Sequence, residues 1–183
     1  MDVKRNKEAG FTLVEVIVIV AILAILAGIL VPMIFSQIDE ARIARAEADC
    51  KSISSAMLVA RKDLGFWPNL FGRACAPSIT LLRGGGNTPA NGLAMGYNGD
   101  IISRFRDVLM TDDYGCYDTT MYKGPYLPVV EADPWGNQYV LNANNFNVAD
   151  GPVYVLSAGP NGILETPVSS ISIGGDDIGL RIK

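Results

Sequence analysis

Residues 11–35 of the chain read FTLVEVIVIVAILAILAGILVPMIF, and 21 of these 25 residues are apolar. The 23 residues between Glu15 and Asp39 carry no charge. As an α-helix they would extend about 35 Å, which is longer than the ~30 Å hydrocarbon core of a bilayer. The segment is therefore predicted to form a single transmembrane helix.

The rest of the chain has the composition of a soluble domain. The 183 residues are 49% hydrophobic overall, and outside residues 11–35 the figure is about 44%, which is ordinary for globular proteins. The chain contains no histidine, so catalytic triads that use histidine and histidine-ligated zinc sites are excluded. Its formal net charge of −4 argues against a general nucleic-acid-binding protein, which normally has a basic face.

The residues before the apolar segment, MDVKRNKEAG, contain three basic and two acidic side chains. By the positive-inside rule this short end stays in the cytoplasm and the C-terminal domain crosses the membrane. A secretory signal peptide would have a shorter apolar core, whereas a simple membrane anchor fits the length but gives no role to Glu15. A carboxylate there costs about 1–3 kcal/mol, so Glu15 either has a functional partner or extends to the cytoplasmic interface.

The sequence GFTLVE at 10–15 resembles the processing site of type IV pilins and type II secretion pseudopilins, and the match continues to VPMI at 31–34. The resemblance implies that a prepilin peptidase cuts after Gly10 and methylates the new amine of Phe11. It also implies that Glu15 pairs with the Phe11 amine of a neighbouring subunit. Such a pair makes chemical sense, because each charge would be costly alone in a low-dielectric environment.

A second helical pattern follows the apolar segment. Its apolar residues are separated by alternating steps of three and four: Ile43, Ala46, Cys50, Ile53, Met57, Ala60 and Leu64. This spacing predicts one helix over residues 12–64, ended by Gly65. Pro32 lacks an N–H and clashes with the carbonyl of Gly28, which predicts a kink or a locally melted stretch. Cys50 lies on the apolar stripe and is predicted to be a packed side chain rather than a reactive thiol.

The middle of the chain is rich in Gly, Pro and Asn, which indicates loops. Within it, 101–110 is predicted to form a short helix with Asp100 as its N-cap. The three cysteines allow three disulfide pairings, and Cys75–Cys116 is favoured because both lie in loop-rich sequence whereas Cys50 lies on the helix. Closing that loop would stabilise the fold by roughly 4 kcal/mol.

The C-terminal region changes to a β pattern. Four strands are predicted, at 126–131, 138–141, 153–157 and 178–182. Together with the long helix they predict an α+β fold, in which a small antiparallel β-sheet packs on the helix. The resemblance to pilins implies the same layout.

Residues 133–139, DPWGNQY, resemble the Asp-Pro-Trp-Gly-Asn motif of major type II pseudopilins. Asp133-Pro134 starts a turn, and Gly136-Asn137 permits positive φ. We expect Trp135 to anchor this turn in the core, so the motif is interpreted as structural.

The C-terminal loop of major pseudopilins binds calcium. The resemblance therefore implies a calcium site here, with Asp176 and Asp177 as candidate ligands together with the Leu156 carbonyl. Adjacent carboxylates and backbone carbonyls suit a hard cation. However, Asn161 occupies the position of an aspartate in the family, and an acidic surface turn is the alternative.

The predicted organisation is a prepilin leader (1–10), a transmembrane and polymerisation helix (11–35), its amphipathic half (36–64), a loop-rich insertion (65–125), and a β-sheet with a C-terminal loop (126–183). The resemblance implies a structural subunit and not an enzyme, with Phe11, Glu15 and Pro32 assigned to assembly. The favoured function is the helical homopolymer of a type II secretion pseudopilus. The alternative is a major or minor pilin of a type IV pilus, used in adhesion, motility or DNA uptake, because the insertion departs from the compact pseudopilin pattern.

An enzyme on a membrane anchor is the rival class, since paired carboxylates suffice for some hydrolases. Nothing in the sequence places such a pair in a cleft. The implied partners of a pseudopilin are further copies of the chain, the prepilin peptidase, an inner-membrane assembly platform and minor pilins or pseudopilins. The expected location is the inner membrane with the C-terminal domain in the periplasm, and a filament in the periplasm or on the cell surface.

Overall fold

A computed structural model describes residues 11–69, 79–97, 102–111, 117 and 119–183. The chain divides into two compact units, residues 1–41 and 42–183. In the first unit, the described residues belong almost wholly to helix α1, which has the bounds Leu13–Leu64. The helix is continuous through Gly28 and Pro32, so the locally melted stretch is not observed. Proline removes one hydrogen bond, and the residues on both sides of it keep helical geometry.

The second unit contains the rest of α1 and a five-stranded sheet. The strands are β1 (Leu81–Arg83), β2 (Ile102–Arg104), β3 (Val140–Asn142), β4 (Tyr154–Ser157) and β5 (Ile178–Arg181). Their order across the sheet is β2-β1-β3-β4-β5. The β1–β2 pair is parallel and the other pairs are antiparallel, so the sheet is mixed. The α+β class is confirmed, with a helix packed on a sheet. The prediction of a wholly antiparallel sheet is wrong, because β2 pairs in parallel with β1.

The main core lies between α1 and one face of the sheet. Alternation along the strands directs Leu82, Leu141 and Val155 into this core. From the helix, the predicted stripe is buried from Ala46 to Leu64, while Ile43 is 37% exposed. Gly65 ends α1 with φ of +79°, and its N–H donates to the Arg61 carbonyl at 2.9 Å. The helix thus ends at the glycine that the sequence predicts, in a left-handed cap.

The opposite face of the sheet carries a smaller core. Leu81, Val140 and Leu156 alternate to this side, where Tyr97 and Leu164 cover them. The sheet is therefore covered on both faces, and its central strands β3 and β4 are buried along their whole length.

Two local predictions are wrong. The helix predicted over 101–110 is a strand, β2, followed by the short helix α2 at Phe105–Leu109, because pairing with β1 outweighs local helix propensity. Residues 126–131 form no strand. Prolines at 125 and 128 remove donors that a ladder would need. The Tyr126 N–H instead donates to the Leu109 carbonyl at 2.7 Å.

The loop-rich insertion, 65–125, contains β1, β2 and α2. Cys75 and Cys116 lie outside the described residues, as do Asp100 and Gly10. Cys50 is a buried free thiol whose Sγ lies 3.7 Å from the Ile178 carbonyl oxygen. Burial raises the pKa of Cys50 to about 12, so the thiol stays protonated and unreactive, as expected for a packed side chain.

Candidate functional site

The start of α1 is a reciprocal hydrogen-bonded cap. Thr12 directly precedes the first helical residue, and Glu15 is the third residue of the helix. The Thr12 N–H and hydroxyl both donate to Glu15 Oε2 at 2.8 Å. The Glu15 N–H donates in return to the Thr12 hydroxyl at 3.3 Å. This arrangement is a capping box, which satisfies donors that a helix N-terminus otherwise leaves free.

The capping box gives Glu15 a partner inside its own chain. The carboxylate sits at the positive end of the helix dipole and accepts two hydrogen bonds there, which offsets part of the cost of a charge in an apolar segment. Sequence reasoning considered an intersubunit partner or an interfacial position for Glu15 and missed Thr12. The Thr-x-x-Glu spacing could have revealed the cap.

Every side chain from Phe11 to Ala41 is exposed in the described unit, and Phe11 itself is 82% exposed. Within the described part of the chain, the length and composition of α1 would allow it to cross a membrane. A continuous apolar surface of this extent needs a lipid or protein environment. Pro32 lies within this exposed stretch.

The DPWGN motif forms a turn that is anchored by its aspartate. Asp133 is 4% exposed, and its Oδ1 accepts the Trp135 N–H at 3.0 Å and the Asn137 N–H at 2.8 Å. Its Oδ2 accepts the Ser157 hydroxyl of β4 at 2.6 Å. The expectation that Trp135 anchors the turn is wrong, because Trp135 is only partly buried and belongs to neither core. The motif forms a turn, as predicted.

The same motif is tied to α1 by its last residue. The Tyr139 hydroxyl, in an otherwise buried side chain, donates to Asp49 Oδ2 at 2.8 Å. Burial and the neighbouring Asp49 carboxylate raise the pKa of Tyr139, so the phenol remains a donor at all ordinary pH values. This contact joins the helix to the turn before β3.

The C-terminal loop is cross-braced by carboxylates. Asp177 is 8% exposed, and its Oδ2 accepts the N–H groups of Glu165 at 3.0 Å and Thr166 at 2.7 Å. Asp176 Oδ2 accepts the Asn161 N–H at 3.1 Å, and Glu165 Oε2 accepts the Asp176 N–H at 3.1 Å. Three carboxylates therefore hold two segments of the loop together through backbone donors.

The candidate calcium ligands have spare acceptor capacity. Asp176 Oδ1 and Asp177 Oδ1 are both buried and make no hydrogen bond among the described residues. Burial raises the pKa of the Asp177 carboxyl, with a contribution from the Glu165 charge. Leu156 lies inside β4, between Val140 of β3 and Gly179 of β5.

Within the described residues, no three Cys, Asp or Glu side chains are grouped to hold a metal ion. Of the carboxylates that the rival class, an enzyme on a membrane anchor, could use, Asp112, Asp113 and Asp118 lie outside those residues. A calcium ion at the loop would thus rely on two aspartates and on backbone or water oxygens, which is within the range that calcium accepts.

Residues 5–31 match the prokaryotic N-terminal methylation motif. The chain is 28% identical over 87% of its length to type II secretion system core protein G of Pseudomonas aeruginosa, covering 88% of that protein. It is 27% identical over 88% of its length to the core protein G of Escherichia coli, covering 88% of it, and 25% identical over 87% to that of Aeromonas hydrophila, covering 87%. No solved structure matches the chain.

Proposed function

We propose that this chain, a homologue of type II secretion system core protein G that carries the N-terminal methylation motif, is a subunit of a type II secretion pseudopilus. The observation that carries the proposal is the combination of the motif at 5–31 with similarity that extends over most of the chain. The exposed apolar half of α1 is the surface through which copies would polymerise. The relatives are named as core proteins of a secretion system, which supports a structural rather than an enzymatic role.

Processing would remove the leader 1–10. The cut after Gly10 leaves Phe11 as the new N-terminus, and the prepilin peptidase would methylate its amine. Helix α1 begins at Leu13, so Phe11 and Thr12 lie outside regular helix. Backbone that precedes a helix is more accessible to a peptidase than backbone held in the hydrogen-bond ladder of the helix.

Assembly would place the Phe11 amine of one subunit against Glu15 of the next. The pair is satisfied only between copies, so it sets the axial position of each subunit rather than adding much net stability. Pro32 leaves the Gly28 carbonyl without a helical donor. That turn is the place where α1 bends at least cost when a subunit moves from the bilayer into the filament.

Before assembly, the subunit would cross the inner membrane once, with the leader in the cytoplasm and residues 42–183 in the periplasm. The basic leader supports this orientation. The partners would be other copies of the chain, the prepilin peptidase, an assembly platform in the inner membrane and minor pseudopilins.

N-terminal mass spectrometry of the protein from its own cells tests the processing step. We expect a chain that is ten residues shorter and begins with N-methylated Phe11. A Gly10→Val variant, with a side chain next to the scissile bond, should keep Met1. An intact Met1 in the wild-type protein would refute the proposal. Loss of protein secretion on gene deletion supports a pseudopilus, whereas loss of surface filaments alone supports a type IV pilus.

We propose in addition that Asp176 and Asp177 contribute to a calcium site. The support is the two buried carboxylate oxygens that make no hydrogen bond within the described part of the chain. Asp177 also helps to line an open groove of about 460 Å³. Calcium would bring the two sides of the loop together by neutralising their charges. The Leu156 carbonyl remains a predicted ligand.

Thermal unfolding of the full chain in mild detergent tests the calcium site. Calcium should raise the melting temperature relative to EDTA, and Asp176→Asn should abolish the difference. Asp150→Asn, which changes an exposed acid elsewhere, is the matched control. An identical melting temperature in calcium and EDTA would remove the site and leave an acidic surface turn.

The Cys75–Cys116 disulfide also stays a proposal, supported by the oxidising compartment that the orientation implies. Non-reducing peptide mapping should find a Cys75–Cys116 peptide with Cys50 as a free thiol. A peptide that links Cys50 to either partner would contradict this pairing.

A further inference from the structure

We infer that Thr12 is a positioning residue for assembly: it fixes one oxygen of the Glu15 carboxylate within the subunit and leaves the other for the Phe11 amine of the next copy. The inference rests on the proposed function and adds a residue to it. The capping box is asymmetric, because both Thr12 donors bind the same oxygen of the Glu15 carboxylate.

The geometry separates the two oxygens of Glu15. Oε2 accepts the Thr12 N–H and the Thr12 hydroxyl, each at 2.8 Å. Oε1 makes no hydrogen bond among the residues that the structure describes. A carboxylate has about four lone-pair sites, so the two contacts leave Oε1 with its full capacity for a cationic donor.

The hydroxyl at position 12 does two things at once. It donates to the Glu15 carboxylate and accepts the Glu15 N–H, at 2.8 and 3.3 Å. Valine has the same branched shape but can do neither, and aspartate can accept the N–H but cannot donate to a carboxylate. Serine retains both functions. The requirement at this position is therefore a hydroxyl, not merely a residue that caps helices.

Positioning matters because a glutamate side chain is flexible. A free Glu15 would lose the freedom of three side-chain bonds when it pairs with an amine of a neighbouring subunit. Thr12 restricts the side chain before the encounter, so less ordering remains to be done on assembly. Thr12 also spares the carboxylate from being wholly unsatisfied in the apolar layer before a neighbour arrives.

The test is competitive incorporation. Tagged full-length variants are co-expressed with wild-type chain at matched membrane levels, and the ratio of the two in purified filaments is measured by mass spectrometry. We expect Thr12→Ser to incorporate within twofold of wild type and Thr12→Val to be reduced about tenfold, which is typical for the loss of a hydrogen bond to a charged group. Cleavage and membrane insertion should be unchanged in both variants.

A second background separates positioning from simple helix capping. Glu15→Gln removes the charge but keeps a capping-box partner. If Thr12 acts through the Glu15 charge, Thr12→Val will lower incorporation little further in the Glu15→Gln background. Equal fold losses in both backgrounds, or wild-type incorporation of Thr12→Val, would overturn the inference. If tagged wild-type chain itself enters no filament, the proposed function fails first and the inference falls with it.

Discussion

Replacing Asp133 by alanine should destabilise the second unit more than any change to the tryptophan of the same motif. The substitution removes a buried carboxylate that accepts three hydrogen bonds, at 3.0, 2.8 and 2.6 Å. Hydrogen bonds to charged groups contribute about 1.5–3 kcal/mol each, and burying the charge offsets part of that. We therefore expect the free energy of unfolding to fall by about 3–4 kcal/mol.

For a unit of residues 42–183, this loss corresponds to a fall of about 10 °C in melting temperature, at roughly 3 °C per kcal/mol. The assay is differential scanning calorimetry of the full chain in mild detergent. Asp133→Asn keeps an acceptor for the turn and should lose about half as much. Asp150→Ala, an exposed acid, should change the melting temperature by less than about 2 °C.

Trp135→Ala is the informative comparison. Trp135 is partly buried, so its removal should cost less than the loss of Asp133. If Trp135→Ala lowers the melting temperature more than Asp133→Ala, the tryptophan anchors the turn and the argument from hydrogen bonds is refuted.

Three further outcomes are expected. Tyr139→Phe should lower the free energy of unfolding by about 1–2 kcal/mol, because Asp49 loses a 2.8 Å donor but keeps access to water; no calorimetric change would contradict this contact. Cys50 should resist alkylation at pH 8 in the native chain, and labelling of the native thiol would contradict its burial. Because folding raises the pKa of Cys50 to about 12, the free energy of unfolding should decline as the pH rises above about 9, where the thiol of the unfolded chain loses its proton. Gly175→Ala should cost more than Gly136→Ala: both have positive φ, but only the first would place a Cβ against the Glu165 carboxylate, and equal losses would mean that backbone strain alone matters.

The long helix could be predicted because its signals are local and repeated. Spacing of three and four recurs from Ala46 to Leu64, and Gly65 ends it as expected. Strands β1 and β2 could not be predicted in the same way. Each has three residues, and each exists because it pairs with a neighbour distant in sequence. A parallel pair such as Leu82 with Ser103 leaves no periodic trace in so short a segment.

The functional residues likewise differ in whether a local sequence signal reveals them. The methylation motif and Glu15 are visible in sequence because they stand out against an apolar background. Thr12 is also marked by a local signal, the Thr-x-x-Glu spacing, but a single threonine beside an apolar segment is easily overlooked. In the DPWGN motif the sequence predicts the turn but not its anchor. Trp135 is expected to hold the turn, whereas Asp133 holds it and accepts a hydrogen bond from the Ser157 hydroxyl, on a strand 24 residues away.

The sheet order also bears on how such chains diversify. Strands β3, β4 and β5 form a continuous antiparallel meander, and β1 and β2 are attached at the side of β3. Both attached strands come from the segment between the helix and the meander. This segment can become longer or shorter without a change in the register of the meander, because its strands are added at the edge of the sheet. The size and outer face of the second unit can thus change while the meander and its packing against α1 are kept.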